Sequence, residues 1–584
     1  MEDWQLMASV GSATPTEKTA ARSSGGIPRW ASAGAARLRL DEPRRKAVVV
    51  VLLFAFPIAY GGIGQLLGQD TSWDLRNYHY ADPYWLLANH MKDVMPAQLQ
   101  TYYSPVLDIP FYFAVNHFTP RVTGFLLALV QGSSFPILYF IGRRFTIRRL
   151  VALGLAALGM LTAGALGELG TIMGDTLTAP FFLGAILLGL RAQGRDPGSE
   201  IRAGSGAMHS VGPVFIACAI AGVGTGLKLS GLPIGLGIVC AFPLTTKGVA
   251  LRITKGLAAA GGLVVGLALS YGWWGYELAE RYSNPILPYM NQFFHSLYAP
   301  WASNTDTTAL PHGILEILFY PFVWTLDSRR VGNYFVELSL VFLELLLLTL
   351  FLSSAIRAVR DRERFRLFDT VGQRFLITTV VVSYFVWAVE FGMYRYFIPI
   401  EMLSFVAILV CLQALRSRIP IREFEQFGNQ LAIGTLVGIV VMSVAFEVPQ
   451  SWGRSAWSQH YFSASIPSRL TTEPSAFLML GGNPDGYIVP LFPTDDFFAQ
   501  VQGNLPPTPF VEKAISKTVA GYRRVYIIWS DPPPKHISPL VLRLSDAKTA
   551  RSYGFLVDWT SCVDLPADVG AKAHELHVCQ LTSA

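Results

Sequence analysis

The sequence has 584 residues, of which 52% are hydrophobic and only 15% are charged, and its formal net charge is +6. Soluble domains carry about 25% charged residues, so the composition excludes a purely soluble enzyme. Arginine and lysine are concentrated in short segments between long apolar runs. That placement is typical of membrane topology signals rather than of a nucleic-acid-binding surface.

The first predicted elements are a polar tail and a membrane span. Residues 1–46 are rich in Ala, Ser, Gly and Arg, which predicts a disordered tail. The apolar run 47–67 is long enough to cross a hydrocarbon core of ~30 Å. It begins too far from the start of the sequence for a cleavable signal peptide. Because basic residues directly precede it, the positive-inside rule predicts a cytoplasmic tail.

Ten further apolar runs alternate with basic clusters along the chain, which predicts about eleven transmembrane helices and a membrane domain over 47–448. The runs are 122–141, 151–169, 176–190, 211–225, 229–244, 257–276, 335–356, 375–391, 396–415 and 431–448. Two longer outer loops are predicted at 68–120 and 277–333. The short apolar piece 105–118 is interpreted as an interfacial or re-entrant helix, since a twelfth span would put every later basic cluster on the wrong side.

Residues 449–584 have the composition of a soluble domain, and the predicted topology places them outside the cytoplasm. Short strands are predicted at 476–480, 487–491 and 525–529, with a helix at 511–522, and together they favour a small α/β domain. Cys562 and Cys579 are the only cysteines in this domain. A disulfide between them would suit an oxidising outer compartment.

The outer loop after the first span, which begins QDTSWDLRNYHYADPYW, combines carboxylates with many aromatic side chains. Aromatic residues are typical of a membrane interface, but the carboxylates need another explanation. An aspartate here could act as a base toward a membrane-embedded substrate, or it could cap a short interfacial helix. Asp70 and Asp74 are both candidates for the base.

Four more ionisable residues fall at the predicted outer ends of spans, where such groups are costly and usually functional or paired. They are Glu168, Asp175, Lys228 and Arg395. Structural alternatives exist: Asp175 could cap a helix, Lys228 could extend to the membrane surface, and Arg395 could pair with Glu390 or Glu401. The sequence has neither a Walker A motif nor a short metal-binding motif such as H-E-x-x-H or CxxC.

Several short motifs make residues 47–415 resemble the GT-C class of glycosyltransferases, which use polyprenyl-phosphate sugars. These motifs are the acidic first outer loop, Glu168 followed by Gly174-Asp175, the turn GTGLKLSGLP at 224–233, and YRYFIPIEML at 394–403. The segment NPILPY at 284–289 is similar to a subset of uncharacterised bacterial members.

The resemblance implies an inverting transfer of a sugar from a polyprenyl-phosphate donor to an acceptor on the extracytoplasmic face. Asp74 would be the general base, and Asp175 would be a second catalytic carboxylate. The substrate-binding residues that the resemblance implies are Arg395, Lys228, His79, Tyr396, Glu168 and Arg76. A good leaving group such as the lipid phosphate requires no cofactor, although a divalent cation is compatible with the reaction.

The expected partners are the lipid-linked donor, a lipid, glycan or protein acceptor, and membrane lipids, with no nucleic acid. The expected location is a bacterial cytoplasmic membrane, with the N-terminus cytoplasmic and residues 449–584 outside. Two other functions fit the same composition: a transporter or flippase of lipid-linked sugars, and a non-catalytic envelope-assembly protein. Neither of these would require a general base.

Overall fold

The structure is a computed structural model that describes residues 42–91, 97–193, 211–360, 362, 364–418, 425–530 and 539–584. The chain divides into two compact units, residues 1–51 and residues 52–584. Residues 1–41 of the predicted disordered tail lie outside the described residues.

Most of the described residues are helical, because an apolar run can satisfy its backbone polar groups inside a membrane only by forming a helix or a closed barrel. The helices are α1 (Glu42–Leu67), α2 (Ala81–Leu87), α3 (Ile109–His117), α4 (Pro120–Gly132), α5 (Ser134–Gly142), α6 (Arg149–Met160), α7 (Ala163–Gly167), α8 (Asp175–Ala192), α9 (Gly212–Leu227), α10 (Leu232–Thr245), α11 (Val249–Tyr282), α12 (Asn291–Phe294), α13 (Ile314–Leu318), α14 (Tyr320–Leu326), α15 (Ser339–Arg360), α16 (Val371–Glu390), α17 (Ile398–Glu401), α18 (Ser404–Arg416), α19 (Glu425–Phe446), α20 (Pro509–Val519) and α21 (Pro539–Ser552).

Six helical segments in the described residues are long and apolar enough to cross a membrane: Lys46–Leu67, Pro120–Gly142, Asp175–Ala192, Val249–Tyr282, Ser339–Arg360 and Val371–Glu390. A pair bent by 55°, Tyr394–Glu401 and Ser404–Arg416, brings the number to seven if it is one broken span. Four shorter apolar helices coincide with other predicted spans, but they have only 10–17 residues. The predicted count of eleven is therefore not confirmed, because a straight span needs about 20 residues.

The apolar helices carry large hydrophobic side chains on their outer surfaces. Phe54 on α1 and Leu269 on α11 are 75% and 77% exposed. An exposed apolar surface of this extent on long helices suits contact with lipid chains.

The first two strands, β1 (Gln69–Asp70) and β2 (Arg454–Ser455), form a separate pair, and residues 462–583 contain a seven-stranded mixed sheet. Its strands are β3 (Phe462–Ala464), β4 (Ser475–Met479), β5 (Phe497–Gln500), β6 (Arg524–Ser530), β7 (Phe555–Val557), β8 (Val563–Val569) and β9 (Lys572–Ser583). The strand order is β3-β8-β9-β6-β4-β5, with β7 paired to β9. Strand β4 is parallel to both β5 and β6, and β9 is antiparallel to its neighbours. A disulfide joins Cys562 and Cys579, the pair predicted from the sequence.

One predicted strand in this domain is wrong. The segment predicted at 487–491 is a 3₁₀ helix, Gly486–Leu491. Pro490 has no N–H to give to a sheet ladder, and Ile488 donates its backbone N–H to the carbonyl of Asp485. Buried apolar side chains in a short run do not distinguish a strand from such a turn.

The loop over residues 68–120 packs against both faces of the sheet. Alternate residues of a strand point to opposite faces, and β4 uses both. Leu478 shares a core with Trp85, whereas Phe477 shares a different core with Tyr80. At the start of this loop β1 pairs antiparallel with β2. The loop and the sheet domain therefore form one packed structure.

Candidate functional site

Two partly buried ion pairs lie at the ends of the apolar helices. Arg395 Nη1 lies 2.5 Å from Asp74 Oδ2, and Lys228 Nζ lies 2.6 Å from Asp175 Oδ2. The four side chains are only 4–16% exposed. Asp74 follows the first span, Asp175 opens α8, Lys228 follows α9, and Arg395 opens the broken span. The structure thus joins, in pairs, four residues that the sequence placed separately.

Tyr396 and Met173 connect the two pairs. The guanidinium of Arg395 and the ammonium of Lys228 lie 5.1 Å and 5.7 Å from the centroid of the same Tyr396 ring. Lys228 Nζ also donates to the carbonyl of Met173, whose sulfur lies 4.0 Å from Arg395 Nη1. Both cations therefore border the same Tyr396 ring.

Local backbone features explain how Arg395 reaches this position. Gly392 has φ +65°, and a side chain there would collide with the carbonyl of Ala309. The indole of Trp387 donates to the carbonyl of Met393 at 2.7 Å. This bond and the left-handed glycine reverse the chain after α16, and Arg395 then lies in a 3₁₀ turn, Tyr394–Phe397, directly before α17.

Asp175 is positioned by the start of α8. Gly174 precedes it with φ +95°, a conformation that glycine adopts without strain. Glu168 is fully buried, and its Oε2 accepts hydrogen bonds from the backbone N–H and the hydroxyl of Thr176 at 3.0 and 3.1 Å. In the structure Glu168 therefore supports the first turn of α8, and its carboxylate is not open to solvent.

The electrostatic surroundings of Asp74 are dominated by two opposing effects. Burial raises the pKa of Asp74, but the positive charge of Arg395, together with His79 and Lys228, brings that pKa below its ordinary value. Tyr78 also donates its hydroxyl to Asp74 Oδ2 at 3.3 Å. The pairing with Arg395 therefore favours the ionised form of Asp74.

A second polar group extends from Asp74 into the loop. His79 Nδ1 lies 2.8 Å from Asp108 Oδ1. Asp82 is 1% exposed, and neither of its carboxylate oxygens has a hydrogen-bond partner in the described chain. Burial and the neighbouring Asp108 raise the pKa of Asp82 well above its ordinary value. These surroundings favour the protonated form of Asp82.

The structure separates the two candidate bases. Asp70 is fully buried, and its side chain accepts hydrogen bonds from the backbone N–H groups of Ser72 at 2.8 Å and Ile172 at 3.3 Å. Burial raises the pKa of Asp70, and these bonds and Arg454 oppose that rise. Asp70 thus accepts hydrogen bonds from the backbone near the start of the loop, whereas Asp74 forms an ion pair with Arg395.

Arg76 lies apart from the two ion pairs. Its Nη1 is 3.4 Å from His574 Nδ1 on β9, and Asp485 and Tyr487 are its other electrostatic neighbours. It therefore lies at the contact between the loop and the sheet domain. The sequence allowed Arg395 to pair with Glu390 or Glu401, but its partner in the structure is Asp74.

Sequence reasoning missed three aromatic residues at this site. Trp452 lies with its ring 5.0 Å from the Arg395 guanidinium. The hydroxyls of Tyr103 and Tyr289 are 2.5 Å apart, and both tyrosines interact electrostatically with Tyr396. Their positions in the sequence, in two loops and beyond the last apolar run, gave no signal that they meet. Among the described residues, the one carboxylate trio close enough to share a cation is elsewhere, at Glu337, Glu401 and Glu447.

No protein-family model matches the chain, and no curated protein matches it. Solved structures with some similarity include ArnT from Cupriavidus metallidurans bound to undecaprenyl phosphate. The identity is 15% and the TM-score 0.39, over 68% of this chain and 71% of that one. The arabinofuranosyltransferase AftD from Mycobacteria gives 15% identity and a TM-score of 0.46 over 95% of this chain, which spans 40% of AftD.

Both neighbours are membrane glycosyltransferases of the GT-C type, the class that the sequence resembles.

Proposed function

We propose that the chain is a membrane glycosyltransferase that takes a sugar from a polyprenyl-phosphate donor. The observation that carries this proposal is the pair of cations, Arg395 and Lys228, that face one Tyr396 ring at the ends of apolar helices. A polyprenyl chain lies among lipid tails, so its phosphate is held at the depth where apolar helices end. Arginine offers a planar fork to phosphate oxygens, and lysine adds a point charge.

In this proposal the two carboxylates occupy the place of the donor phosphate when no donor is bound. Phosphate oxygens and carboxylate oxygens compete for the same N–H donors. When the phosphate binds Arg395 and Lys228, Asp74 loses the partner that lowers its pKa, and its burial then raises that pKa. Donor binding would in this way convert a paired carboxylate into a stronger base.

The chemical step follows from these positions. Asp74 takes the proton of the acceptor hydroxyl, whose oxygen attacks the anomeric carbon of the sugar. The bond from that carbon to the phosphate oxygen breaks, and the configuration inverts. Arg395 and Lys228 stabilise the charge that develops on the leaving polyprenyl phosphate. General-base help of this kind contributes about 10²–10⁴-fold in rate.

The proposed orientation places the site and residues 449–584 on the extracytoplasmic side of a bacterial cytoplasmic membrane. The basic clusters between the apolar runs support it. The acceptor would approach through the loop and sheet domain, which pack together beside Asp74.

Replacement of Asp74 by asparagine tests both halves of the proposal. Transfer from a panel of polyprenyl-phosphate sugars should be lost. Binding of undecaprenyl phosphate should become tighter, because Arg395 no longer has a competing carboxylate. Asp327→Asn is the matched control, since Asp327 pairs with Arg329 at an exposed position. Normal transfer by Asp74→Asn would reject the assignment of Asp74 as the general base. Weaker binding of undecaprenyl phosphate would reject the idea that the Asp74 carboxylate competes with phosphate for Arg395.

A further inference from the structure

Three glutamates meet near the ends of helices and interact electrostatically with Tyr394. Glu337 lies two residues before α15, Glu401 ends α17, and Glu447 directly follows α19. One carboxylate oxygen from each lies within 4.8 Å of those of the other two. Glu337 and Glu401 are 1% and 0% exposed, and Glu447 is half-buried.

The backbone fixes this arrangement. Val336 and Val448 exchange two backbone hydrogen bonds of 3.1 Å, so the residues next to them, Glu337 and Glu447, are held side by side. Glu401 Oε1 accepts a bond of 3.0 Å from the backbone N–H of Gly164. A methyl group on Gly164 would lie 2.5 Å from Glu401 Oε2, so the carboxylate packs directly against that glycine.

Each glutamate keeps one buried oxygen without a hydrogen-bond partner among the described residues outside the cluster: Glu337 Oε2, Glu401 Oε2 and Glu447 Oε1. Within the cluster, Glu337 lies within hydrogen-bonding reach of Glu401 and of Glu447. None of the ion pairs within the described residues includes any of the three. Buried carboxylates of like charge require a compensating positive charge or a proton.

Tyr394 gives an independent indication of a ligand. Its side chain is fully buried, and its hydroxyl interacts electrostatically with all three glutamates. That hydroxyl lies within hydrogen-bonding reach of Glu401 and has no partner among the described residues outside the cluster. A neutral oxygen directed at three carboxylate oxygens completes a set of four hard oxygen donors.

We propose that Glu337, Glu401, Glu447 and Tyr394 bind a divalent cation of the size of calcium. Calcium binds oxygen ligands at about 2.3–2.6 Å, so ligands on opposite sides are up to about 5 Å apart. Magnesium requires about 2.1 Å and hence a spread of about 4.2 Å at most. A spread of up to 4.8 Å is compatible with the larger ion.

The cation would have a positioning role rather than a chemical one. It would join the ends of α15, α17 and α19 next to the turn that carries Arg395. Because Tyr394 directly precedes Arg395, a bound cation would restrict the backbone that directs the guanidinium toward Asp74. The proposal rests on the three glutamates and Tyr394, so it does not require the transferase reaction.

Terbium luminescence on the purified full-length chain in detergent, stripped with EDTA, provides the test. Tb³⁺ occupies calcium sites, and Tyr394 would sensitise its emission. We expect one saturable site from which Ca²⁺ displaces Tb³⁺ at lower concentration than Mg²⁺ does. Glu447→Gln should weaken Tb³⁺ binding by about tenfold or more, and Tyr394→Phe should reduce the sensitised emission.

Glu344→Gln is the matched control, because Glu344 is another glutamate of α15 with an unpartnered buried oxygen, and it is not in the cluster. It should leave Tb³⁺ affinity unchanged. Calcium should also raise the thermal unfolding midpoint of the wild-type chain and of Glu344→Gln, but not that of Glu447→Gln. The absence of saturable emission from the wild-type chain would overturn the proposal, as would unchanged affinity in Glu447→Gln.

Discussion

Arg395 Nη1 lies 2.5 Å from Asp74 Oδ2, although 321 positions separate the two residues in the sequence. The contact joins the loop after the first span to the turn that opens the last part of the membrane domain. Both side chains are only about a tenth exposed. Removal of either side chain alone would leave the other charge buried and uncompensated.

A double-mutant cycle on this pair should show strong coupling. Arg395→Met leaves an uncompensated carboxylate, and loss of one partner of a buried pair costs about 3–5 kcal/mol. Asp74→Asn combined with Arg395→Met should recover much of that loss. The measurement is the thermal unfolding midpoint in detergent. The more exposed pair of Arg330 and Glu316 is the control, for which the coupling should be about 0–1 kcal/mol. Additive losses at Asp74 and Arg395 would contradict a direct interaction.

Lys228→Met should weaken undecaprenyl-phosphate binding more than it lowers the unfolding midpoint, since the charge is proposed to hold the donor. The comparison is Ser230→Ala. Ser230 also contacts Asp175, at 3.4 Å, but it carries no charge. Binding can be measured by native mass spectrometry across a lipid titration. Equal loss of affinity in both variants would indicate that the shape of the turn matters, and not the ammonium group.

Acid should destabilise the contact between the loop and the sheet domain through His574. Burial, with Arg76 and Lys572 nearby, lowers the pKa of His574 to about 4 from an ordinary value of 6.5. Between these values the unfolded chain binds more protons than the folded chain does, so stability falls as the pH drops from about 6.5 to about 4.

His574→Gln should therefore flatten the decline of the unfolding midpoint between pH 6.5 and 4. Asp496 has the opposite effect on the pH dependence of stability. Burial raises its pKa to about 6, so its contribution to the free energy of unfolding is lost as the pH rises. The informative quantity is thus the difference in slope between His574→Gln and the wild-type chain. An identical slope in both would refute the role given to His574.

The disulfide and the proposed orientation can be examined together by thiol labelling of intact cells. A membrane-impermeant maleimide should label neither Cys562 nor Cys579 until a reductant is added. The other three cysteines, Cys218, Cys240 and Cys411, should be replaced by alanine to remove background. Labelling without reductant would reject the disulfide. Labelling only after permeabilisation would reject the proposed orientation.

The sequence alone indicates the apolar helices, the acidic aromatic loop, the sheet domain and the cysteine pair. These features depend on local composition and periodicity, which each segment carries in its own residues. The positions of Asp175 and Arg395 near helix ends were predictable for the same reason. The segment at 487–491 was not, since a short buried run has the same appearance in a strand and in a 3₁₀ helix.

Only the tertiary structure decides which charged residues become partners. It places Asp74 on Arg395 and Asp70 among backbone N–H groups, although the two aspartates are four residues apart in one loop. It also places the Arg76 side chain against His574 of the sheet domain. It brings Glu337 next to Glu447, more than a hundred residues later, through the backbone pairing of Val336 with Val448. Side-chain pairing over such separations depends on how the helices and the sheet pack, and no local pattern in the sequence encodes that packing.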